Sequence, residues 1–310
     1  MENNYNPQVD LNFYPGFKRK ALSFTIDDGN LTLDAKFISY VKPAKIKGTF
    51  NLVSNYINDS NRDNYYNLYS EYEIANHVKY HPLILKEGHG RAVSCEKFSP
   101  ESSNPEYIYK SATEGLYYYL EGKKWLLGAE TEVFLRYAEE GKAELEALFG
   151  KGRIKDLVLP YGRRENPRLF SLLQDAGYRS IRGVSYNGFS LPEDRMNWGF
   201  YASYINLLER AESFDSLEDD GSLKAFIFGV HSHDFENANA WHVLAEFCER
   251  YGKRENDFYY ATVGEIFDVE DCIKAAAVTP HAVINNYHLP LYAKIRGKDV
   301  IIQPKEKYEY

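Results

Sequence analysis

The feature that most constrains the fold is an alternation of strand-like and helix-like segments along most of the chain. Short apolar runs that predict buried strands occur at 20–26, 48–53, 154–162, 178–184 and 223–233. Parallel strands need a long crossover between them, and a helix usually provides it. An alternation of this kind is therefore typical of α/β proteins, and five or six strand–helix units favour a barrel-like arrangement.

Helices are predicted where apolar residues recur every three or four positions. They are expected at 32–42, 104–120, 129–149, 166–176 and 239–251. The stretch 82–153 then becomes a long, mostly helical insertion, which could cover a binding groove or form a solvated surface.

The pattern changes after residue 271. A short strand and the start of a helix are expected within 258–269, and short alternating segments follow. A β-hairpin is predicted in "LYAKIRGKDVIIQP", turning at 296–299. We therefore divide the chain into a main domain, 1–271, and a small β appendage, 272–310.

Net charge and cysteine content narrow the class of protein. The 45 acidic residues outnumber the 37 basic ones, and no basic stripe is present, which argues against a nucleic-acid partner. Cys95, Cys248 and Cys272 are far apart and odd in number, so neither a disulfide framework nor a CxxC metal site is expected. Without a signal-peptide pattern or a membrane-length apolar run, we expect no membrane partner and a cytoplasmic location, or secretion if a signal has been removed.

Two adjacent carboxylates end the first predicted strand. In "ALSFTIDDGN", residues 21–30, the apolar run leads to Asp27 and Asp28, and Gly29 indicates a turn. Neighbouring carboxylates repel each other unless a cation or a proton separates their roles. The pair is therefore either an ordinary Asp-Gly turn or part of a catalytic site.

A pair of histidines follows in "YEIANHVKYHPL". His77 and His81 are four residues apart, so on a helical turn they would point the same way and could bind one zinc-like ion. Val78 excludes the zinc-protease motif HExxH. One of the two aspartates could be the third ligand, and the other could act as a base on a metal-bound water. The alternative is a pair of histidines that bind no metal.

The last candidate group ends the most hydrophobic predicted strand, "LKAFIFGVHSH". Strand alternation would place His231 and His233 on one face, with Ser232 on the other. In α/β barrels the active site lies at this carboxyl end of the strands. Because histidine titrates near neutral pH, His231 suits a general acid, although it could equally cap a core strand by hydrogen bonding.

Taken in order, these motifs resemble those of the polysaccharide deacetylases, the metal-dependent enzymes of carbohydrate esterase family four. "FTIDDG" and "EIANHVKYHP" are close to the first two family motifs, whereas "LPYG" (159–162), "LPEDRMNW" (191–198) and "GVHSHDF" (229–235) are looser. The resemblance covers residues 18–270 and implies a distorted, incomplete (β/α) barrel. It also implies a carbohydrate substrate and the removal of N-acetyl groups from amino sugars.

The resemblance implies a role for each matching residue. Asp27 would be the general base and His231 the general acid. The ligands of a divalent transition metal, with zinc as the expected ion, would be Asp28, His77 and His81. Tyr161 would supply a backbone N–H to the oxyanion, and Trp198 would line the substrate groove.

Two departures from the family pattern concern the residues that support the base and the acid. Val158 stands where the family usually has an arginine that orients the base, and Arg182 on the next predicted strand is our candidate replacement. Asn197 stands where an aspartate usually tunes the acid histidine, so Asp194 or another carboxylate is expected to serve.

Two further departures lie beside the metal and the acyl group. Val78 replaces a usual serine or threonine, and Gly229 replaces a usual leucine, which would enlarge or reshape the acetyl pocket. Two alternatives therefore stay open. One is a deformylase, O-acetyl esterase or other amide hydrolase, and the other is an inactive carbohydrate-binding protein. The oligomeric state is left open.

Overall fold

The body of the protein is a nearly closed barrel of seven parallel strands surrounded by helices. The computed structural model describes residues 8–85, 93–94, 98–162, 167–185 and 188–310. In chain order the strands of the barrel sheet are β1 (Lys20–Asp28), β2 (Gly48–Leu52), β3 (Glu73–Asn76), β4 (Asp156–Val158), β5 (Ser180–Ser185), β6 (Trp198–Phe200), β7 (Lys224–Val230) and β8 (Tyr259–Tyr260). Their spatial order is β6-β5-β4-β3-β2-β1-β7, with β8 beside the start of β1.

The seam of the barrel lies between β6 and β7. Just beyond β6, the Tyr201 N–H donates to the Ile227 carbonyl at 2.7 Å, and the Gly229 N–H donates to the Ala202 carbonyl at 2.8 Å. These bonds join the two ends of the sheet, so the α/β barrel expected from the strand–helix alternation is confirmed.

Helices connect the strands, as parallel pairing requires. In the described part of the chain they are α1 (Leu31–Val41), α2 (Arg62–Tyr69), α3 (Thr131–Phe149), α4 (Pro167–Asp175), α5 (Leu207–Asp215), α6 (Ser232–Asn237), α7 (Trp241–Tyr251) and α8 (Val263–Ala275). Asn30 caps α1 by accepting the Leu33 N–H at 3.0 Å. None of these helices is long and apolar enough to cross a membrane.

Alternation along β1 separates the outer core from the barrel interior. Phe24 faces outward and packs against Phe37 of α1, with ring centroids 5.1 Å apart. Thr25 and Asp27 face inward, where Asn51 of β2 donates to both side chains at 2.7 Å. The interior therefore carries polar groups that lead toward the carboxyl ends of the strands.

The amino ends of the strands are closed by α8. Glu73 at the start of β3 accepts the Gly264 N–H at 2.9 Å and the Thr262 hydroxyl at 2.7 Å. A carboxylate at a helix N-terminus is electrostatically favourable. Because α8 covers the amino ends of the strands, a functional site is expected at their carboxyl ends.

The insertion after β3 differs from the sequence prediction. The predicted helix at 104–120 is wrong, because this region belongs to a small five-stranded sheet. Its strands are Leu83–Ile84, Val93–Ser94, Ile108–Lys110, Leu116–Glu121 and Lys124–Ala129. Tyrosine-rich residues favour a pleated, half-buried surface, and Gly122, with φ of 60°, turns the hairpin between the last two strands. The predicted helix at 129–149 is confirmed as α3.

Two small antiparallel sheets form the C-terminal appendage. One contains Leu291–Ile295, Lys298–Ile302 and the N-terminal strand Val9–Asp10, and the other contains Ala277–Val278, Ala282–Ile284 and Lys307–Glu309. The predicted hairpin is confirmed, with Arg296 and Gly297 at its turn. The boundary drawn at 271 falls inside α8, so this helix is shared by the barrel and the appendage.

Candidate functional site

The two aspartates at the end of β1 point to different partners. Asp27 turns into the barrel, where its Oδ1 contacts the Arg182 guanidinium and accepts a hydrogen bond from Asn51. Asp28 adopts a φ of 77°, which directs it toward the two histidines that follow β3. A left-handed residue at the strand end thus separates two side chains that are adjacent in sequence.

Asp28, His77 and His81 form a compact three-residue group. The Asp28 Oδ1 lies 3.5 Å from the His77 Nε2 and 3.6 Å from the His81 Nε2, and the two nitrogens are 3.0 Å apart. Ligand atoms around a tetrahedral zinc, with bonds of about 2.0–2.2 Å, are separated by about 3.3–3.6 Å. The three atoms therefore have the spacing of a metal site.

The polar atoms of this group also fit a cation. The His77 Nδ1 lies 3.0 Å from the Val158 carbonyl and must donate to it, so the His77 Nε2 keeps its lone pair for a ligand. The Asp28 Oδ1 is buried without a hydrogen-bond partner. A buried acceptor of this kind is costly unless something compensates it, and a metal ion at this point would do so.

The histidines do not lie on a helix, contrary to the prediction. They belong to a loop in which Val78, Tyr80 and His81 have φ values of 61°, 64° and 51°. Left-handed residues other than glycine cost about 1–3 kcal/mol each and tend to occur where function requires them. The two rings lie together, as their spacing of four residues predicted. A loop with left-handed residues, rather than a helical turn, produces this arrangement.

Neighbouring elements hold this loop in place. Asn76 at the end of β3 accepts the Val78 N–H at 3.0 Å and donates to the Ala138 carbonyl of α3 at 2.7 Å. A side chain on Gly141 of α3 would collide with Asn76, because its Cβ would lie 2.9 Å from the Asn76 Oδ1. The insertion therefore supports the loop through α3.

His231 follows β7 and faces Asp28 across the site. It caps α6, so the predicted strand ends at Val230, and the expectation that strand alternation orients His233 is wrong. The His231 Nε2 lies 3.9 Å from the Asp28 Oδ2, and its Nδ1–H donates to Asp234 at 3.0 Å. Asp234, three residues further on, fixes the ring and leaves Nε2 directed at the site.

The charged groups shift one another's pKa values. Burial raises the pKa of Asp27, but Arg182, His77 and His231 outweigh it, so the pKa lies below the ordinary value. Burial lowers the pKa of His231, but the hydrogen bond to Asp234 and the charges of Asp27 and Asp28 raise it to about 9. At neutral pH the site therefore pairs an ionised aspartate with a protonated histidine.

The pKa values of Asp28 and His81 both lie below their ordinary values. Burial raises the pKa of Asp28, but the neighbouring His77, His231 and His81 rings hold it below its ordinary value. Burial and the His77 ring lower the pKa of His81 to about 3. Asp28 is therefore ionised and His81 neutral, which are the forms that bind metal.

Arg182 contacts the aspartate that the sequence analysis expected it to orient. Its side chain is 2 % exposed, and its guanidinium reaches Asp27 from β5. The structure thus brings together the pair that the sequence only suggested.

Two predicted residues lie elsewhere. Trp198 is only 3 % exposed and packs on Phe267 of α8, with its Nε1–H donating to Ser180, so the prediction that it lines a groove is wrong. Asp194 accepts the Met196 N–H within its own turn, and Asp234 instead holds His231. Asp234 is thus the other carboxylate that the sequence analysis allowed for. Spacing from a motif does not specify which face of the barrel a side chain reaches.

Phe200 explains the glycine in the last motif. A Cβ on Gly229 would lie 2.4 Å from the Phe200 ring, so the space of the usual leucine is filled from the neighbouring strand. The same ring lies 5.3 Å from the centre of the Arg182 guanidinium. A side chain from β6 therefore fills the space next to Gly229 of β7, beside Arg182.

Tyr161 lies at the open mouth of the site. It has a φ of 58°, is 45 % exposed, and places its ring against that of His81, with centroids 4.7 Å apart. Partial burial raises the pKa of Tyr161 above its ordinary value. The exposed Tyr56 raises it further, and Asp28 does so to a smaller extent. Two tyrosines thus lie beside the metal-type group.

Three residues of the site were missed from the sequence. Asn51 had a visible signal, because it is a polar residue within the apolar strand "GTFNLV". Asp234 also had one, since it follows His231 by three residues at the start of a helix, where a capping carboxylate is common. Phe200 had none, because its position depends on the closing of the barrel.

Similarity to known proteins agrees with this geometry. The sequence profile described as "Polysaccharide deacetylase" matches residues 15–181, more than half of the chain. Comparison with curated protein sequences finds no match.

Several solved structures are similar to the chain. A family 4 carbohydrate esterase from Bacillus anthracis is 15% identical, with 84% of this chain and 86% of that chain covered and a TM-score of 0.44. A family 4 acetyl xylan esterase from Clostridium thermocellum is 15% identical, with 81% and 92% covered and a TM-score of 0.42. The chitin deacetylase of Colletotrichum lindemuthianum is 14% identical, with 79% and 86% covered and a TM-score of 0.43.

The profile match extends from before the first strand of the barrel to Ile181 on β5, so it includes the aspartate pair, both histidines and the "LPYG" turn. By that match, the chain belongs to the polysaccharide deacetylase family.

Proposed function

We propose that this protein is a metal-dependent hydrolase that removes N-acetyl groups from amino sugars of a glycan or oligosaccharide. The observation that carries the proposal is the convergence of Asp28, His77 and His81, with an ionised aspartate on one side and a protonated histidine on the other. This arrangement brings a candidate cation site, a base and an acid together.

Asp28 and the Nε2 atoms of the two histidines would hold the ion. A divalent transition metal bound there would polarise the acetamide carbonyl and lower the pKa of a water molecule. Two imidazoles and one carboxylate suit zinc and leave positions open for water and substrate. Zinc is therefore the ion we expect.

Asp27 is the proposed general base. Its carboxylate takes a proton from the attacking water, and the contacts with Arg182 and Asn51 fix its orientation. Because the guanidinium also keeps Asp27 ionised, the base is available at neutral and mildly acidic pH.

His231 is the proposed general acid. Its Nε2–H delivers a proton to the departing amine, which is otherwise a poor leaving group, while Asp234 retains the Nδ1 proton. The backbone N–H of Tyr161 is our candidate donor to the oxyanion, because its residue adjoins His81 at the mouth of the site.

A second hydrolytic function has a specific observation in its favour. The aromatic wall formed by Phe200 over Gly229 differs from the leucine of the family pattern, so the acyl group that fits best could differ from acetamide. A deformylase, an O-acetyl esterase or another amide hydrolase would use the same base, acid and metal group. Release of formate or acetate from N-acyl and O-acyl sugars distinguishes these reactions.

The first experiment is a measurement of metal content in the purified protein and in its His77→Ala variant. We expect about one tightly bound transition metal per chain in the wild type and its loss in the variant. The exposed His242→Ala variant, altered on α7, is the matched control and should keep its metal.

Hydrolysis is then measured as acetate release from N-acetylglucosamine oligomers. Turnover in the wild type and its loss in Asp27→Asn and His231→Ala would support the enzyme. Sugar binding without turnover would instead support the inactive carbohydrate-binding protein. Failure to bind tightly any metal after zinc addition would contradict the hydrolytic mechanism.

A further inference from the structure

A second group of potential metal ligands lies at the Nδ1 edge of the His231 ring, which faces Asp234. It consists of His231, His233 and Asp234, whose ligand atoms all lie within 4.8 Å of one another. The Asp234 Oδ2 is 3.0 Å from the His231 Nδ1, and the Asp234 Oδ1 is 3.7 Å from the His233 Nε2. The two imidazole rings are stacked, with centroids 4.6 Å apart.

This group has the same donor set as the first one, two imidazoles and one carboxylate. It differs in access, because the side chains of His231, His233 and Asp234 are 36 %, 38 % and 31 % exposed. The ligands of the first group are more deeply buried, down to 2 % for His77. An ion could therefore reach the second group from solvent without passing through the first.

The two groups use opposite edges of the His231 ring. Nε2 faces Asp28, whereas Nδ1 faces Asp234. An ion held through Nδ1 would thus lie away from the first site, and both sites could be filled together.

We propose that His231, His233 and Asp234 form a second site for a divalent transition metal, and that filling it inhibits the enzyme. The inhibitory part of this inference rests on the proposed role of His231 as general acid. An ion at Nδ1 displaces the proton that Asp234 holds there, so the ring carries a single proton, on Nε2. Donating that proton would leave a metal-bound imidazolate. A metal-bound imidazole is a far weaker acid than an imidazolium, which becomes a neutral ring when it loses its proton.

The first test is the stoichiometry of zinc binding, measured by equilibrium dialysis of the metal-free protein against buffered zinc. We expect about two zinc ions per wild-type chain and about one in both His233→Ala and His77→Ala, since each variant lacks one of three ligands. His233→Gln serves as a second variant with a similar volume, and His242→Ala is the control that should still bind about two.

The second test is turnover across a zinc titration, with chelator-buffered metal. Wild-type activity should rise as the first site fills and fall at higher zinc. In His233→Ala the fall should require at least about tenfold more zinc, because even supporting residues of metal sites change affinity by about 10- to 100-fold. His233 touches no reacting group in the proposed mechanism, so activity at low zinc should be unchanged.

The outcomes separate this inference from the proposed function. One zinc per wild-type chain, or a weak second binding that His233→Ala and His242→Ala leave equally unaffected, would overturn the second site and indicate adventitious binding. Two saturable ions that fall to one in His233→Ala, without hydrolysis in any sample, would establish the second site and contradict the enzyme instead. Inhibition that persists unchanged in His233→Ala would overturn the inhibitory role.

Discussion

At the residue scale, the site depends on how each charged side chain is paired. Asp27 has Arg182 and Asn51 as partners, and His231 has Asp234. Of Asp27, Asp28 and His231, Asp28 is the one with a buried oxygen that lacks a hydrogen bond, and it faces two imidazole nitrogens. These different partners therefore distinguish the predicted base, Asp27, the predicted acid, His231, and the predicted metal ligand, Asp28.

Replacing Arg182 by alanine should lower kcat by at least about tenfold, because a general base contributes about 10²–10⁴-fold and Arg182 orients the base. The metal content should not change, since Arg182 contacts Asp27 rather than the metal-type group. Steady-state kinetics and metal analysis measure both. Arg182→Lys, which retains the charge, is the control and should be less impaired; an unchanged kcat in Arg182→Ala would refute the assignment.

Replacing Asp234 by asparagine should move the alkaline limit of activity to lower pH. Asp234, Asp27 and Asp28 raise the pKa of His231 to about 9, so the protonated acid is present below that pH and is lost above it. Removal of one of these carboxylates lowers the pKa, and the acid is lost earlier as pH rises. The pH dependence of kcat in metal-loaded wild type and variant measures the shift.

Comparison at equal metal loading matters for this prediction, because a bound cation would also lower the pKa of His231. Glu236→Gln, which changes a nearby exposed carboxylate on the same helix, is the matched control and should leave the alkaline limit in place. An alkaline limit unaffected by Asp234→Asn would mean that His231 is not the group that titrates there.

At the element scale, close packing between β6 and β7 completes the barrel beside the site. The Phe200 ring of β6 occupies the space above Gly229 of β7, and the backbone of Gly229 bonds to Ala202. Small and large residues on facing strands are a common way to fill a barrel interior. This contact places the Phe200 ring beside both Gly229 and Arg182.

Gly229→Leu should therefore destabilise the protein by about 1–3 kcal/mol or more, as expected when extra volume is forced into a packed interior. Phe200→Ala should relieve the clash, so the double variant should be more stable than the sum of the two single effects predicts. Denaturant unfolding of the four proteins measures the coupling. Gly229→Leu combined with Phe98→Ala, whose ring packs against the separate small sheet, should be additive. Additivity of Gly229→Leu with Phe200→Ala would disprove the contact.

The elements also show where sequence reasoning succeeds. Strand β1 and helix α1 were predicted correctly, because long apolar periodicity is a local property. Leu116–Glu121 was predicted as a helix but is a strand, because its partner Lys124–Ala129 decides the conformation of a tyrosine-rich segment. The His77–His81 loop was predicted as helical, and its left-handed residues depend on Asn76 and α3 instead.

At the scale of the whole molecule, the two ends of the barrel differ: the amino end is closed by packing, and the carboxyl end carries the candidate site. Glu73 and the N-terminus of α8 close the amino end, together with Arg179 and Asp156. The aspartates and histidines of the site all lie at the carboxyl end. In barrels of this kind the amino end contributes stability and the carboxyl end carries chemistry.

Replacing Glu73 by alanine should accordingly lower the free energy of unfolding by at least about 2 kcal/mol, since it leaves buried donors of Thr49, Thr262 and Gly264 without their acceptor. Metal content and KM should stay unchanged. Urea unfolding and metal analysis measure the two effects. Glu73→Gln, which keeps one acceptor, should be milder, and loss of metal in folded Glu73→Ala would contradict the separation of the ends.

By itself, the sequence determined the α/β class, the barrel-like order of its segments and the residues of the metal-type group, because periodicity and motif spacing depend on near neighbours. Only the tertiary structure decided which partners those residues have. Arg182 reaches Asp27 across a separation of 155 residues, and Phe200 meets Gly229 only when the sheet closes. Such contacts depend on strand order, register and the face on which each side chain lies, and none of these is a local property of the chain.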